Sequence, residues 1–110
     1  MSRVDQEEYV ERVLVLVEQI PPGRVMSYGA IAEAVGVGGP RQVGAVMSRD
    51  GGSVPWWRVV RADGGLPLCD DGEAAERHRA EQTPMRGSGR VDMARASWFP
   101  ERAEEPVGDL

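Results

Sequence analysis

Apolar residues fall at Val10, Val13, Leu14, Val17 and Ile20, at spacings of three and four that set them along one stripe of a helix. A first helix is therefore expected over residues 5–19. Pro21-Pro22-Gly23 ends it, since neither proline can donate to a helical ladder and Gly23 can turn. Val25-Met26 reads as a short extended piece. Ser27 then offers a hydroxyl cap to a helix over residues 28–35, with Ile31, Ala34 and Val35 inward and Gly36 closing it in a left-handed conformation. Gly38-Gly39-Pro40 makes a tight connection, and Pro40 suits a first helical position, so a third helix is expected from Arg41 to Met47 or Ser48. Two short helices joined through a glycine-bearing turn form a helix-turn-helix pattern.

Beyond the third helix the pattern shortens. Asp50-Gly51-Gly52-Ser53 reads as a flexible loop. Trp57-Arg58-Val59-Val60 and Leu66-Pro67-Leu68 flank Ala62-Asp63-Gly64-Gly65, which predicts a small hairpin, a wing, with Pro67 confining its strand to an edge. A polar helix is expected over residues 70–82, capped by Asp70, with Glu73 completing a capping box. Residues 83–89 read as loop, and Val91-Asp92-Met93 and Trp98-Phe99 are expected to fold back on the body. The fold class is thus α+β and mainly helical: a winged helix-turn-helix core with a wing hairpin, in one domain over residues 1–100. Residues 101–110, acidic and containing Pro and Gly, are expected to fray.

Length and composition agree with one modest core. At 110 residues, 41% apolar and 28% charged, the chain is a single ordinary globular domain with no room for two. No apolar run approaches the roughly 20 residues of a spanning helix, so a cytoplasmic, membrane-free protein is expected. The lone Cys69 excludes an internal disulfide, and with one His78 there is no zinc spacing. Neither metal nor organic cofactor is implied.

Net charge is -5, which argues against general affinity for nucleic acid, but its distribution changes that picture. Residues 20–61 hold Arg24, Arg41, Arg49, Arg58 and Arg61 against Glu33 and Asp50, a net +3, while both flanks are acidic. A basic middle can face phosphates.

Four pieces occur in order: Ile20-Pro21-Pro22-Gly23-Arg24-Val25, Ser27-Tyr28-Gly29, Arg41-Gln42-Val43-Gly44 and Val54-Pro55-Trp56-Trp57-Arg58-Val59. Together, over residues 4–68, they resemble the DNA-repair alkyltransferases that lift alkyl groups from guanine O6. That family carries Pro-Cys-His-Arg where this chain has Pro55-Trp56-Trp57-Arg58, so Trp56 stands at the nucleophile's position. An indole cannot accept an alkyl group as a thiolate does. The resemblance is therefore to the alkyltransferase-like branch, which is not enzymatic.

What the resemblance implies can be weighed residue by residue. Tyr28 would press on the target nucleotide's phosphate and help rotate it out, its phenol donating to a phosphate oxygen; the rival is a half-buried core tyrosine. Arg41 would enter the duplex at the vacated position, a task suited to a planar guanidinium, and as a cation it gains little at a helix start. Gln42, Gly44 and Ala45 would lie in the minor groove, where bulk clashes, unless Gly44 and Ala45 instead allow close packing against the first helix. Val54, Pro55, Trp56 and Arg58 would line the lesion pocket, with Trp57 in place of a histidine that has no thiol to activate. Cys69 replaces a basic residue that often follows the wing in this branch; Arg61, Arg77 or Arg79 would then have to substitute. His78 is expected to be a solvated helix residue.

The implied function is recognition of O6-alkylguanine in duplex DNA by nucleotide flipping without alkyl transfer. A monomer would shield the lesion or flag it to nucleotide excision repair proteins. Two rivals stay open: a winged-helix transcription regulator, and an alkyltransferase that uses Cys69.

Overall fold

The computed structural model describes residues 3–67 and 72–100, so Cys69, the cap expected at Asp70 and the tail over 101–110 lie outside the described residues. Helix α1 runs over Arg3–Gln19, and of its stripe Val13 and Val17 are fully buried and Ile20 nearly so. Val10 and Leu14 pack at the edge of the same cluster. The chain leaves the helix through Gly23, whose φ of 85° is open to glycine and few other residues.

Strand β1 (Met26–Ser27) leads directly into helix α2 (Tyr28–Val35). The Ser27 hydroxyl accepts from the Ala30 N–H at 3.0 Å, and Gly36 closes the far end at φ 95° with its N–H bonded to the Ala32 carbonyl. The inward side differs from expectation: Ile31 and Ala32 are buried, whereas Ala34 is exposed and Val35 only partly covered. The reason is the stripe Tyr28, Ile31, Ala32 and Val35, at i, i+3, i+4 and i+7, which turns Ala34 away from the core.

Helix α3 (Pro40–Asp50) starts at the predicted proline and runs two to three residues past the expected end, burying Val43 and Val46. Its start is closed by Gln42, whose Oε1 accepts from the Gly39 N–H at 2.9 Å. Helices α1, α2 and α3 enclose the main core, together with Met26, Val54 and Val59.

Residues expected as a loop instead form a 3-10 turn, Gly51–Ser53. Gly51 is buried there, and a Cβ on it would meet Met47 Cε at 2.9 Å. A second 3-10 turn, Trp56–Arg58, precedes strand β2 (Val59–Val60). The expected wing is corrected at this point. Strand β2 pairs in parallel with β1, Met26 with Val59 and Ser27 with Val60, and both valines are buried. Strand β2 is buried and finds its partner in β1, and no antiparallel strand follows it among the described residues. The chain instead closes a tight turn, with Gly64 N–H to Arg61 O at 2.8 Å and Arg61 N–H to Gly65 O at 3.0 Å, and Leu66 and Pro67 add no strand.

Helix α4 (Glu73–Glu81) is shorter than expected and begins after Gly72. Residues 83–89 are not plain loop, because Met85 and Val91 pair as an antiparallel bridge. After helix α5 (Met93–Ala96), Ser97 bridges in parallel to Val25. Val25, Val60, Val91 and Ala96 make a second small core, so residue 91 does fold back as expected. Trp98 packs on the main core, whereas Phe99 stays 55% exposed.

Candidate nucleic-acid interface

The outward side of α3 is formed by the residues left when Val43 and Val46 turn inward. Arg41, Gln42, Ala45, Ser48 and Arg49 are exposed and Gly44 is partly covered. The side chain of Arg41, next to Pro40 in the first turn, makes no hydrogen bond or ion pair among the described residues. Gln42 is partly committed, since its carbonyl oxygen caps the helix. Beyond its chain neighbours and its own helix backbone, a Cβ on Gly44 would meet no atom within 4 Å, so packing against α1 does not explain this glycine. Tyr28 sits at the first position of α2, half-buried, with part of its ring on the main core.

The other predicted residues gather elsewhere. Val54, Pro55, Trp56 and Arg58 line one open recess of about 440 Å³ with Glu18, Gly52, Ser53, Trp57 and Arg77. Trp56 and Trp57 meet edge to face, ring centroids 5.6 Å apart at 88°. Thus the predicted set divides between the α2–α3 surface and this recess.

The recess is braced from behind by α4. Glu81, whose side chain is 13% exposed, accepts from Trp57 Nε1 at 2.9 Å, from Arg58 Nη2 at 2.6 Å and from the Gly23 N–H at 2.9 Å. Arg58 also donates to the Ile20 carbonyl at 2.8 Å, which ties the motif to the end of α1. Burial pushes the Glu81 carboxyl up, but these donors outweigh it and hold the group below the ordinary glutamate range. The Arg77 guanidinium lies 4.4 Å from the Trp57 ring centroid and pairs with Glu73 at 2.9 Å.

His78 is the clearest departure from the sequence reading. It is fully buried, with Nε2 at 2.7 Å from the Trp57 carbonyl and Nδ1 at 2.8 Å from Thr83 Oγ1. The neutral ring fits this site, Nε2–H donating to the carbonyl and the threonine hydroxyl donating to Nδ1. Desolvation lowers its pKa, against the opposing pull of the Trp57 carbonyl and the Glu81 charge. Sequence reasoning misses the roles of Glu81 and His78, although Ala74, His78 and Glu81 share one helical face at i, i+4 and i+7. Among the described residues no three His, Cys, Asp or Glu side chains gather as a metal site, and no helix is long and apolar enough to cross a membrane.

Known proteins of this shape are informative. The "DNA base-flipping protein" of Escherichia coli K12 is 36% identical over 100 residues, covering 84% of this chain and 76% of the relative. "Alkyltransferase-like protein 1" of Schizosaccharomyces pombe is 30% identical over 105 residues, covering 86% and 97%. The crystal structure of S. pombe Atl1 in complex with damaged DNA containing O6-carboxymethylguanine superposes with a TM-score of 0.74 at 28% identity, over 86% of this chain and 97% of that one. The family described as "6-O-methylguanine DNA methyltransferase, DNA binding domain" matches residues 8–82, and this chain belongs to that family.

Proposed function

We propose that the protein binds O6-alkylguanine in duplex DNA by rotating the damaged nucleotide out of the stack, leaves the alkyl group in place, and thereby shields the lesion or flags it for nucleotide excision repair. The observation that carries this reading is Trp56, an indole between Pro55 and Arg58 where the family's alkyl acceptor is a cysteine. Without a thiolate the site has no nucleophile for the alkyl carbon. The names of the relatives, a base-flipping protein and an alkyltransferase-like protein, support the same reading, as does the damaged DNA bound to S. pombe Atl1.

The energetic logic is differential. Extruding a nucleotide costs a few kcal/mol, less at a pair already weakened by damage. Arg41 would fill the gap in the stack, Tyr28 would hold the rotated backbone, and the recess beside Trp56 would take the base. Gly44 and Ala45 leave α3 thin enough to approach a groove floor closely.

The test pairs two readouts on duplexes that differ only in O6-methylguanine against guanine. Tighter binding of the damaged duplex, with the protein's intact mass unchanged after incubation, is expected. Equal affinity would favour an operator-reading regulator, and a methyl group gained at Cys69 would mean transfer; either result defeats the proposal.

A further inference from the structure

Past residue 82, where the family match ends, the chain forms a hairpin not required by the helix-turn-helix. Met85 pairs with Val91, and the Arg86 N–H bonds to the Arg90 carbonyl at 2.8 Å. Its tip, Arg86-Gly87-Ser88-Gly89-Arg90, is exposed throughout, and Gly89 turns the chain at φ 91°. Two arginines therefore stand opposite each other across the neck of one hairpin. Like charges in directly opposed positions destabilise a strand pair, and an anionic ligand relieves that repulsion.

The hairpin is fixed to the turn that follows β2. The Val91 N–H donates to the Gly64 carbonyl at 2.9 Å, and a Cβ on Gly64 would collide with the Val91 carbonyl oxygen. Gly64 also sits at φ 87°, so the junction needs glycine twice over. Arg90 reaches Asp63 at 3.8 Å, both side chains more than half exposed, a pair that water and salt weaken. Exposed Arg61 opens the same turn. Arg61 and Arg90 thus stand at one turn, with Arg86 across the hairpin from Arg90, and among the described residues the Arg90–Asp63 contact is the one ion pair these three arginines make.

We propose that this corner is a second DNA contact, in which Arg86 and Arg90 bind duplex phosphates outside the lesion and hold the protein in register while the base is flipped. It rests on the proposed function only in taking duplex DNA as the ligand. Phosphate contacts of this kind add affinity without sequence or lesion preference, and they release counterions on binding.

The experiment measures affinity against salt concentration for the damaged and the plain duplex, with wild type, Arg86→Gln/Arg90→Gln and Arg86→Lys/Arg90→Lys. The glutamine variant is expected to weaken both duplexes by the same factor and to flatten the log–log salt slope by about 2, near 0.9 for each phosphate no longer neutralised. The lysine variant should keep the wild-type slope, and an unrelated exposed change, Arg12→Gln, should leave it alone. A glutamine variant with the wild-type slope, or a lysine variant as flat as the glutamine one, would overturn the proposal. Wild type lacking any preference for the damaged duplex would instead defeat the lesion reading, while a flatter slope in the same data would still support the arm.

Discussion

Helices α3 and α4 both present polar side chains near the motif segment, but they treat them oppositely. On α4, Glu81 takes donors from Trp57, Arg58 and Gly23, and both ring nitrogens of His78 are matched. On the outward side of α3, Arg41 has no partner among the described residues, and Gly44 faces open space. Polar groups that are taken from water must be matched within the protein, so the α4 network builds the recess. A guanidinium left without a partner beside a bare glycine is available to a ligand. On the proposed function the two regions divide the labour: one holds a shape and the other would meet the DNA.

The largest expected effect breaks the first region. Glu81→Ala leaves the Arg58 guanidinium without its counter-charge and the Trp57 N–H unmatched where water is scarce, and should destabilise the fold by about 3 kcal/mol. Thermal or urea unfolding reads this directly, and a loss as small as that of an ordinary surface change would show that the network is ornamental. Next comes Arg41→Ala, expected to weaken binding to O6-methylguanine DNA by roughly 2 kcal/mol, about 30-fold, while unfolding shifts by no more than ~0.5 kcal/mol. Comparable losses in both measurements would erase the distinction between the regions.

A third variant pits the regions' logic against each other at one residue. Gly44→Ala should stabilise α3 by about 0.5–1 kcal/mol, because the helix gains a better former and no atom stands in the way. Gly44→Leu should weaken DNA binding several-fold with the melting temperature maintained. A drop in melting temperature for both would return this glycine to internal packing.

The smallest effect concerns pH. His78 is held neutral by burial, its folded pKa below the ordinary 6.5, so the unfolded chain binds the extra proton first. Its neutral state is without penalty above that value, and stability falls as pH drops below it. Glu81, held below its ordinary 4.5, adds its own loss further down, as pH falls through its folded value. Melting temperature between about pH 7 and 5.5 should therefore decline less steeply in His78→Gln than in wild type. Parallel slopes would remove His78 from the account.

Legibility in the sequence follows the range of the signals. The first three helices are readable because their causes are local: the apolar stripe of α1, the hydroxyl of Ser27, the left-handed Gly36 and the first-turn Pro40. The parallel pairing of Met26 with Val59 is not readable, since two-residue strands have no alternation to detect and their partner lies over thirty residues away. The wing hairpin differs for the same reason: Val59 and Val60 look like one arm of a hairpin, but the strand they pair with is β1, in parallel and over thirty residues earlier. His78 looks solvated because its neighbours are charged; only the approach of Trp57 and Thr83 encloses it. The individual candidate residues are singled out by motif order. Their division into a helix surface and a separate recess is a tertiary fact.

The most direct measurement of the central claim is the ratio of dissociation constants for plain and O6-methylguanine duplexes, taken in the same salt for wild type and Arg41→Ala. The ratio should be well above one in wild type and fall toward one in the variant, with the variant still folded. A wild-type ratio of one would contradict the account.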